Sequence, residues 1–141
     1  TTLFRSRSHE NDSVEFLSYP KHCVKGTKEC EIIDELSGVY VINKNSTNGF
    51  LEDEFLKWQS ENGHICNFIV VGDCTDICVK QFAITLKAWF NMRNKECRII
   101  VPMDAVETYD GYLHNAEFVN AISIYDMIQS GIEVVKNIVR R

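Results

Sequence analysis

The stretch FIVVGDCTDICV at residues 68–79 is the most informative part of this sequence. An apolar run typical of a buried strand ends at Gly72, and a polar corner then leads into a long amphipathic pattern typical of a helix. Cys78 therefore falls in the first turn of that helix, where unpaired backbone N–H groups and the positive end of the helix dipole favour a thiolate. The same N–H groups can hold an oxyanion during acyl transfer, so the stretch predicts a cysteine nucleophile.

Outward from this stretch, predicted strands alternate with predicted helices along most of the chain, whereas residues 1–21 are predicted to be loop. This alternation is typical of a parallel sheet with helices on its faces. We therefore predict one α/β domain over residues 1–141, a three-layer α/β/α sandwich with a mostly parallel, Rossmann-like sheet. The predicted strands are 39–42, 66–71, 98–101 and 132–135, and the predicted helices are 28–36, 50–62, 76–92 and 115–129.

Apolar residues at helical spacing predict which face of each helix is buried. Thr27 is predicted to cap the helix over 28–36. In the helix over 76–92 the predicted inward residues are Val79, Phe82, Ala83, Leu86 and Phe90. In the helix over 115–129 they are Phe118, Val119, Ile122 and Tyr125.

Lys44 follows the predicted strand 39–42, and Cys78 follows the predicted strand 66–71. Because ligands bind at the carboxyl ends of the strands in such sheets, we expect both side chains at the same edge, where an ammonium would favour the thiolate. The alternative is that Lys44 is an ordinary solvated lysine. His64 and His114 are expected to be surface residues. The acidic segment 104–110 follows a strand end, so it is a candidate for the rim of the site, but a solvated loop is the favoured interpretation.

The composition argues against nucleic acid and membranes as binding partners. The chain carries a net charge of -5 and has a pI near 5.3, so it lacks the basic field that attracts nucleic acid or a membrane surface. No apolar run approaches the roughly 18 residues of a membrane span. We therefore expect neither nucleic acid nor membrane as a partner. Several of the six cysteines lie inside apolar runs and are expected to be reduced thiols, which predicts a cytoplasmic protein.

Two blocks of the sequence resemble motifs of a known enzyme family. The block GDCTDICV at residues 72–79 resembles the Gly-x-x-Thr-Asp-x-Cys-Val signature of the isochorismatase-like cysteine hydrolases. The block HCVKGT at residues 22–27 resembles the His-Cys-x-x-Gly-Thr segment of the nicotinamidases within that family. Both blocks keep the family's order and separation, and the similarity runs from about residue 8 to the end of the chain.

The resemblance implies a reaction and a set of catalytic residues. Cys78 matches the nucleophile, and Lys44 matches the lysine of an Asp–Lys–Cys triad. The bond between Asp73 and Cys74 matches a non-proline cis peptide of the family, and the amides of Cys74 and Cys78 match its oxyanion hole. The implied reaction is hydrolysis of a small-molecule carboxamide to a carboxylate and ammonia through a thioester. Nicotinamide, other heteroaromatic carboxamides and carbamoyl compounds all suit such a site.

The resemblance also implies a divalent metal, often zinc, in the intact family member. Its ligands match His9, Glu15 and His22, but Arg7 replaces the carboxylate expected two residues before His9, and its charge would repel a metal ion. The family's triad aspartate lies on a first strand that matches no segment before residue 8. We therefore expect this chain to be N-terminally shortened.

A second interpretation stays open beside the enzyme. The chain could be a catalytically incomplete fragment or remnant of the fold that acts as a structural or assembly partner. Loss of a central strand would expose a sheet edge and an apolar face, so we expect a homo-oligomer.

The substitution at Arg7 leads to a test of the metal site. The chain as written is expected to bind zinc weakly or not at all, because a positive charge stands where the site needs a negative one and only Glu15 offsets the ion. Arg7→Asp is expected to tighten binding by at least about tenfold in a calorimetric zinc titration. Tight binding by the unaltered chain, with no change in Arg7→Asp, would show that the three ligands are misplaced.

Overall fold

The computed structural model describes residues 2–4, 8–36 and 38–139 of the chain. These residues form two compact units, Thr1–Glu61 and Asn62–Arg141, and each is described by itself. The single domain expected over residues 1–141 stays a prediction.

The first unit contains little regular structure. Strand β1 (Thr2–Phe4) pairs in parallel with strand β2 (Tyr40–Ile42), and helix α1 covers Asp53–Glu61. Sequence periodicity predicted only loop over residues 1–21, but β1 is a strand because of its pairing with the distant β2. Ile42 and Phe55, which are both fully buried, anchor β2 and α1 in the core of this unit.

The second unit alternates strands and helices as the sequence predicts. Strands β3 (Asn67–Ile69), β5 (Arg98–Pro102) and β7 (Glu133–Val135) form a parallel sheet with β5 in the centre. A second parallel pair joins β4 (Gly72–Asp73) to β6 (Val106–Glu107). Helix α2 covers Lys80–Met92 and helix α3 covers Ala116–Gln129. These alternating helices and parallel pairings confirm the predicted α/β class.

Helix α2 buries the face that its sequence predicts. Its predicted inward residues recur at helical spacing, which places them on one side of the helix. All five residues named for this face, from Val79 at the start to Phe90 near the end, are buried, and Leu86 is completely inaccessible. The predicted helix boundary at residue 92 also agrees with the structure.

The predicted inward face of α3 is wrong. Phe118 and Tyr125 are 65% and 62% exposed, whereas the buried residues of this helix are Ser123 and Met127. Ile122 is exposed as well, and only Val119 of the predicted face is half-buried. Apolar residues occur on every side of α3, so its spacing does not single out the face that packs.

The predicted helix over 28–36 is also wrong. The structure has two separate 3-10 turns, Lys28–Cys30 and Asp34–Leu36, with extended backbone at Glu31 between them. The Thr27 hydroxyl donates to the carbonyl of Val24 at 2.7 Å and makes no capping bond to the turn that follows. Such a local hydrogen bond competes with helix formation.

Within the described residues, no helix has the length and apolar character that crossing a membrane requires.

The buried face of α2 gives a stability prediction. Leu86→Ala is expected to lower the free energy of unfolding by about 2–5 kcal/mol, because it removes buried methyl groups and leaves a cavity. Met92→Ala is the matched control, since Met92 lies on the same helix and is 70% exposed. That variant is expected to change the free energy of unfolding by less than about 0.5 kcal/mol. Urea unfolding followed by circular dichroism measures both, and equal losses would contradict the assignment of the buried face.

Candidate active site

Cys78 lies in a wide helical turn that opens helix α2. Residues Thr75–Val79 form this π-helical turn, and the Cys74 carbonyl accepts hydrogen bonds from the amides of Ile77 at 3.2 Å and Val79 at 3.1 Å. Burial alternates along the turn, because Thr75, Ile77 and Val79 are buried while Asp76 and Cys78 are only partly buried. The turn is thus anchored on both sides of Cys78, and Cys78 itself is only partly buried.

The peptide bond between Asp73 and Cys74 is cis, as the resemblance implied. Strand β4 ends at Asp73 and pairs in parallel with β6, where Asp73 lies opposite Glu107. The residues that follow these strands, Cys74 and Thr108, therefore emerge at the same carboxyl edge of the pair. This is the edge at which α/β sheets bind ligands.

A hydrogen-bond network at this edge holds the carboxylate of Asp76. The Thr108 hydroxyl donates to Oδ1 at 2.6 Å, and Nε2 of His114 donates to Oδ2 at 2.9 Å. The other ring nitrogen of His114 donates to the carbonyl of Tyr109 at 2.9 Å, and the two rings stack with their centroids 4.1 Å apart. The network joins the turn that carries Cys78 to the loop between β6 and α3.

The electrostatics of this network favour an ion pair. Burial would raise the pKa of Asp76, but the hydrogen bonds from Thr108 and His114 outweigh burial and hold this pKa below its usual value. The hydrogen bond to Asp76 is the main cause that raises the pKa of His114, and the bond to the Tyr109 carbonyl raises it further. Since an ionised carboxylate and a carbonyl only accept hydrogen bonds, both ring nitrogens must carry a proton for both bonds to form.

Sequence reasoning missed this network. His114 was expected at the surface and segment 104–110 was expected to be a solvated loop, but His114 is partly buried and Thr108 is buried. The partners of Asp76 lie 32 and 38 residues away in the chain, so no local pattern indicates them.

Lys44 lies in the first unit, just after β2, and is not a solvated loop lysine. Its side chain is only 5% exposed, and Nζ donates to the carbonyls of Ser46 at 2.9 Å and Thr47 at 3.4 Å. The Lys44 carbonyl in turn accepts the amide of Ser8 at 2.9 Å. The ammonium is therefore held in a defined position within its own unit, and its predicted pairing with Cys78 stays a prediction.

The structure brings together the three residues that the resemblance named as metal ligands. His9 is fully buried, and its Nδ1 lies 3.9 Å from Oε2 of Glu15. The rings of His9 and His22 are in edge-to-face contact, with centroids 5.0 Å apart. Nδ1 of His22 also forms a short hydrogen bond with the Pro20 carbonyl.

This cluster does not have the arrangement of a metal centre. Across the described residues, no three His, Cys, Asp or Glu side chains form a group that could hold a metal ion. Arg7 lies outside the described residues. The weak zinc binding expected from the sequence stays a prediction.

Comparison with known proteins identifies relatives of this chain. The family model described as "Isochorismatase domain" matches residues 2–136. Nicotinamidase 1 of Arabidopsis thaliana is 35% identical over 91 residues, which cover 55% of this chain and 36% of that protein. The match therefore spans little more than a third of that relative's length.

Solved structures with the same fold agree with this match. N-carbamoylsarcosine amidase from Thermoplasma acidophilum is 28% identical and has a TM-score of 0.68, over 96% of this chain and 72% of that chain. A nicotinamidase from Bacillus subtilis has a TM-score of 0.71 at 20% identity, over 95% of this chain and 73% of that chain. At that identity the likeness to the second structure concerns the fold alone.

The ion pair of Asp76 and His114 gives a prediction for pH. A raised His114 pKa contributes stability in full below the ordinary value of about 6.5 and loses it as pH rises through the raised pKa. A lowered Asp76 pKa contributes stability above about 3.9 and loses it as pH falls through the lowered pKa. The pair is thus expected to stabilise most between about pH 4 and 6.5.

NMR titration of the His114 ring protons measures this coupling. Asp76→Asn is expected to lower the titration midpoint of His114, because it removes the anion that stabilises the imidazolium. Asp104→Asn makes the same chemical change at an exposed position and is expected to leave that midpoint unchanged. An equal response to both variants would contradict a specific ion pair.

Proposed function

Because this chain belongs to the isochorismatase family, we propose that it acts as a cysteine-dependent amidohydrolase, either as it stands or within a longer protein. The observation that carries the proposal is the position of Cys78, within a family-like motif and in the turn that opens α2 at the carboxyl end of β4. Similarity to nicotinamidase 1 of Arabidopsis thaliana and to an N-carbamoylsarcosine amidase supports amide hydrolysis as the reaction class.

The proposed chemistry is acyl transfer through a thioester. The Cys78 thiolate attacks the carboxamide carbon, and the carbonyl oxygen becomes an oxyanion held by the amides of Cys74 and Cys78. The C–N bond then breaks and ammonia leaves with a proton, which in the family comes from the triad aspartate. Water cleaves the thioester, releasing the carboxylate and restoring the thiol. No step is assigned to a metal ion, because His9, Glu15 and His22 lack the arrangement of a metal centre.

The resemblance gives Lys44 the role of stabilising the thiolate or the charge that develops in the reaction. Its burial supports such a role, since a buried ammonium held by two carbonyls keeps a fixed position. A lysine is seldom buried in this way without a structural or chemical reason.

We infer that the substrate is a small carboxamide of the nicotinamide type. The support is the name of the sequence relative, a nicotinamidase, together with the HCVKGT block at residues 22–27. Other heteroaromatic carboxamides and carbamoyl compounds share the reacting group, and the name of the structural relative makes carbamoyl compounds the first to compare.

Ammonia release from a panel of amides tests the proposal in the protein expressed from its full coding sequence. Cys78→Ala is expected to lower turnover on the order of thousands-fold, as loss of a covalent nucleophile does. Cys66→Ala is the matched control, because Cys66 is also a partly buried cysteine but lies at the amino end of β3. Turnover that survives Cys78→Ala would contradict the mechanism. A folded protein that hydrolyses no amide would instead favour the assembly partner.

A further inference from the structure

We propose that His114 is a positioning residue for Cys78, because it fixes the Asp76 carboxylate and thereby the turn in which the nucleophile lies. This inference rests on the function proposed above, since it takes Cys78 to be the reacting group. Asp76 precedes Cys78 by two residues within the turn Thr75–Val79. A displacement of its side chain is therefore transmitted directly to the backbone that carries the thiol.

The carboxylate of Asp76 is held from two directions. Thr108 donates to one oxygen at 2.6 Å and His114 donates to the other at 2.9 Å, so rotation of the carboxylate breaks at least one of the two bonds. The side chains of Asp76 and His114 are only 11% and 18% exposed. Hydrogen bonds with an ionised partner are stronger than neutral ones, and water replaces them poorly in a partly buried position.

The ring of His114 is itself fixed on its other side. It donates to the Tyr109 carbonyl at 2.9 Å and stacks on the Tyr109 ring with only 7° between the two planes. The backbone of His114 also exchanges two hydrogen bonds with Gly111, which closes the loop into a tight bridge. The side chain of His114 is therefore fixed on both sides, and it connects the loop to the turn.

Further hydrogen bonds connect this loop to strand β6 and helix α3. Oε1 of Glu107 accepts the amide of Thr108 and the side-chain amide of Asn120, both at 3.0 Å. The next residue after His114, Asn115, caps α3 through the amide of Phe118 at 2.9 Å. The position of the turn thus depends on β6 and α3 through Asp76, in addition to its own backbone bonds.

Hydrogen exchange of the backbone amides of residues 75–80, measured by mass spectrometry, tests whether His114 holds the turn in place, and it does not depend on activity. His114→Ala is expected to speed exchange there by at least about tenfold, the effect of one lost hydrogen bond to a charged group. His114→Gln is expected to restore most of the protection, because its amide N–H can still donate to Asp76. His64→Ala removes an exposed histidine of the same unit and is the matched control, with no change expected in this segment.

Two further measurements separate positioning of the nucleophile from a general structural role. The rate at which iodoacetamide alkylates Cys78 is expected to change in His114→Ala and to recover in His114→Gln. In the ammonia-release assay, kcat of His114→Ala is expected to fall roughly ten- to a hundredfold, because a small displacement of the nucleophile suffices for that. KM is expected to stay within about twofold, since no substrate-binding group is removed.

The outcomes of these experiments distinguish the positioning role of His114 from the proposed amidohydrolase function. Unchanged exchange over residues 75–80 in a folded His114→Ala protein overturns the positioning role, whatever the activity. If that variant does not fold, Asp76→Ala removes the carboxylate through which His114 is proposed to act, and unchanged exchange in a folded Asp76→Ala protein overturns the role equally. If the protein hydrolyses no amide but exchange and alkylation respond as stated, the proposed function fails and the positioning role stands.

Discussion

The geometry around Cys78 depends on the Asp76 carboxylate and the two hydrogen bonds that it accepts from Thr108 and His114. These bonds join the turn, the end of β6 and the loop before α3 at one partly buried charge. Loss of either donor would leave a shielded acceptor without its partner, which costs more than the bond itself contributes. The same carboxylate raises the pKa of His114 and so favours its charged form, in which each ring nitrogen can donate to its acceptor.

Helix α2 supplies the second constraint on the turn. Its buried face continues directly from Ile77 and Val79 in the turn to Phe82, Ala83 and Leu86 in the helix. In the proposed mechanism Cys78 has to be held firmly and still be reached by a substrate. Alternating burial meets both needs, because the neighbours of Cys78 on either side are anchored in the core while Cys78 itself is only partly covered.

The first unit contains little regular secondary structure, but it buries two basic side chains, His9 and Lys44. His9 is completely buried and Lys44 nearly so, and the backbone of each is paired with a distant segment. The His9 amide donates to the Cys23 carbonyl at 3.1 Å, and the His9 carbonyl accepts from Lys25 at 2.8 Å. Buried basic groups need such fixed polar surroundings, so these loops take a defined course without long helices or strands.

The amino-acid sequence alone predicts the parallel α/β class, the end of α2 at residue 92, the buried face of that helix and the position of Cys78 near its start. Each of these follows from local periodicity or from the strand-to-helix corner at residues 68–79, where one side of the pattern is apolar and the other polar. Long-range packing sets the buried face of α3 and the partners of Asp76. Apolar residues occur on every side of α3, so its sequence does not indicate which face is buried. Packing in the folded protein buries Ser123 and Met127. His114 and Thr108 reach Asp76 across 38 and 32 residues, a pairing that the fold creates and that no local spacing encodes.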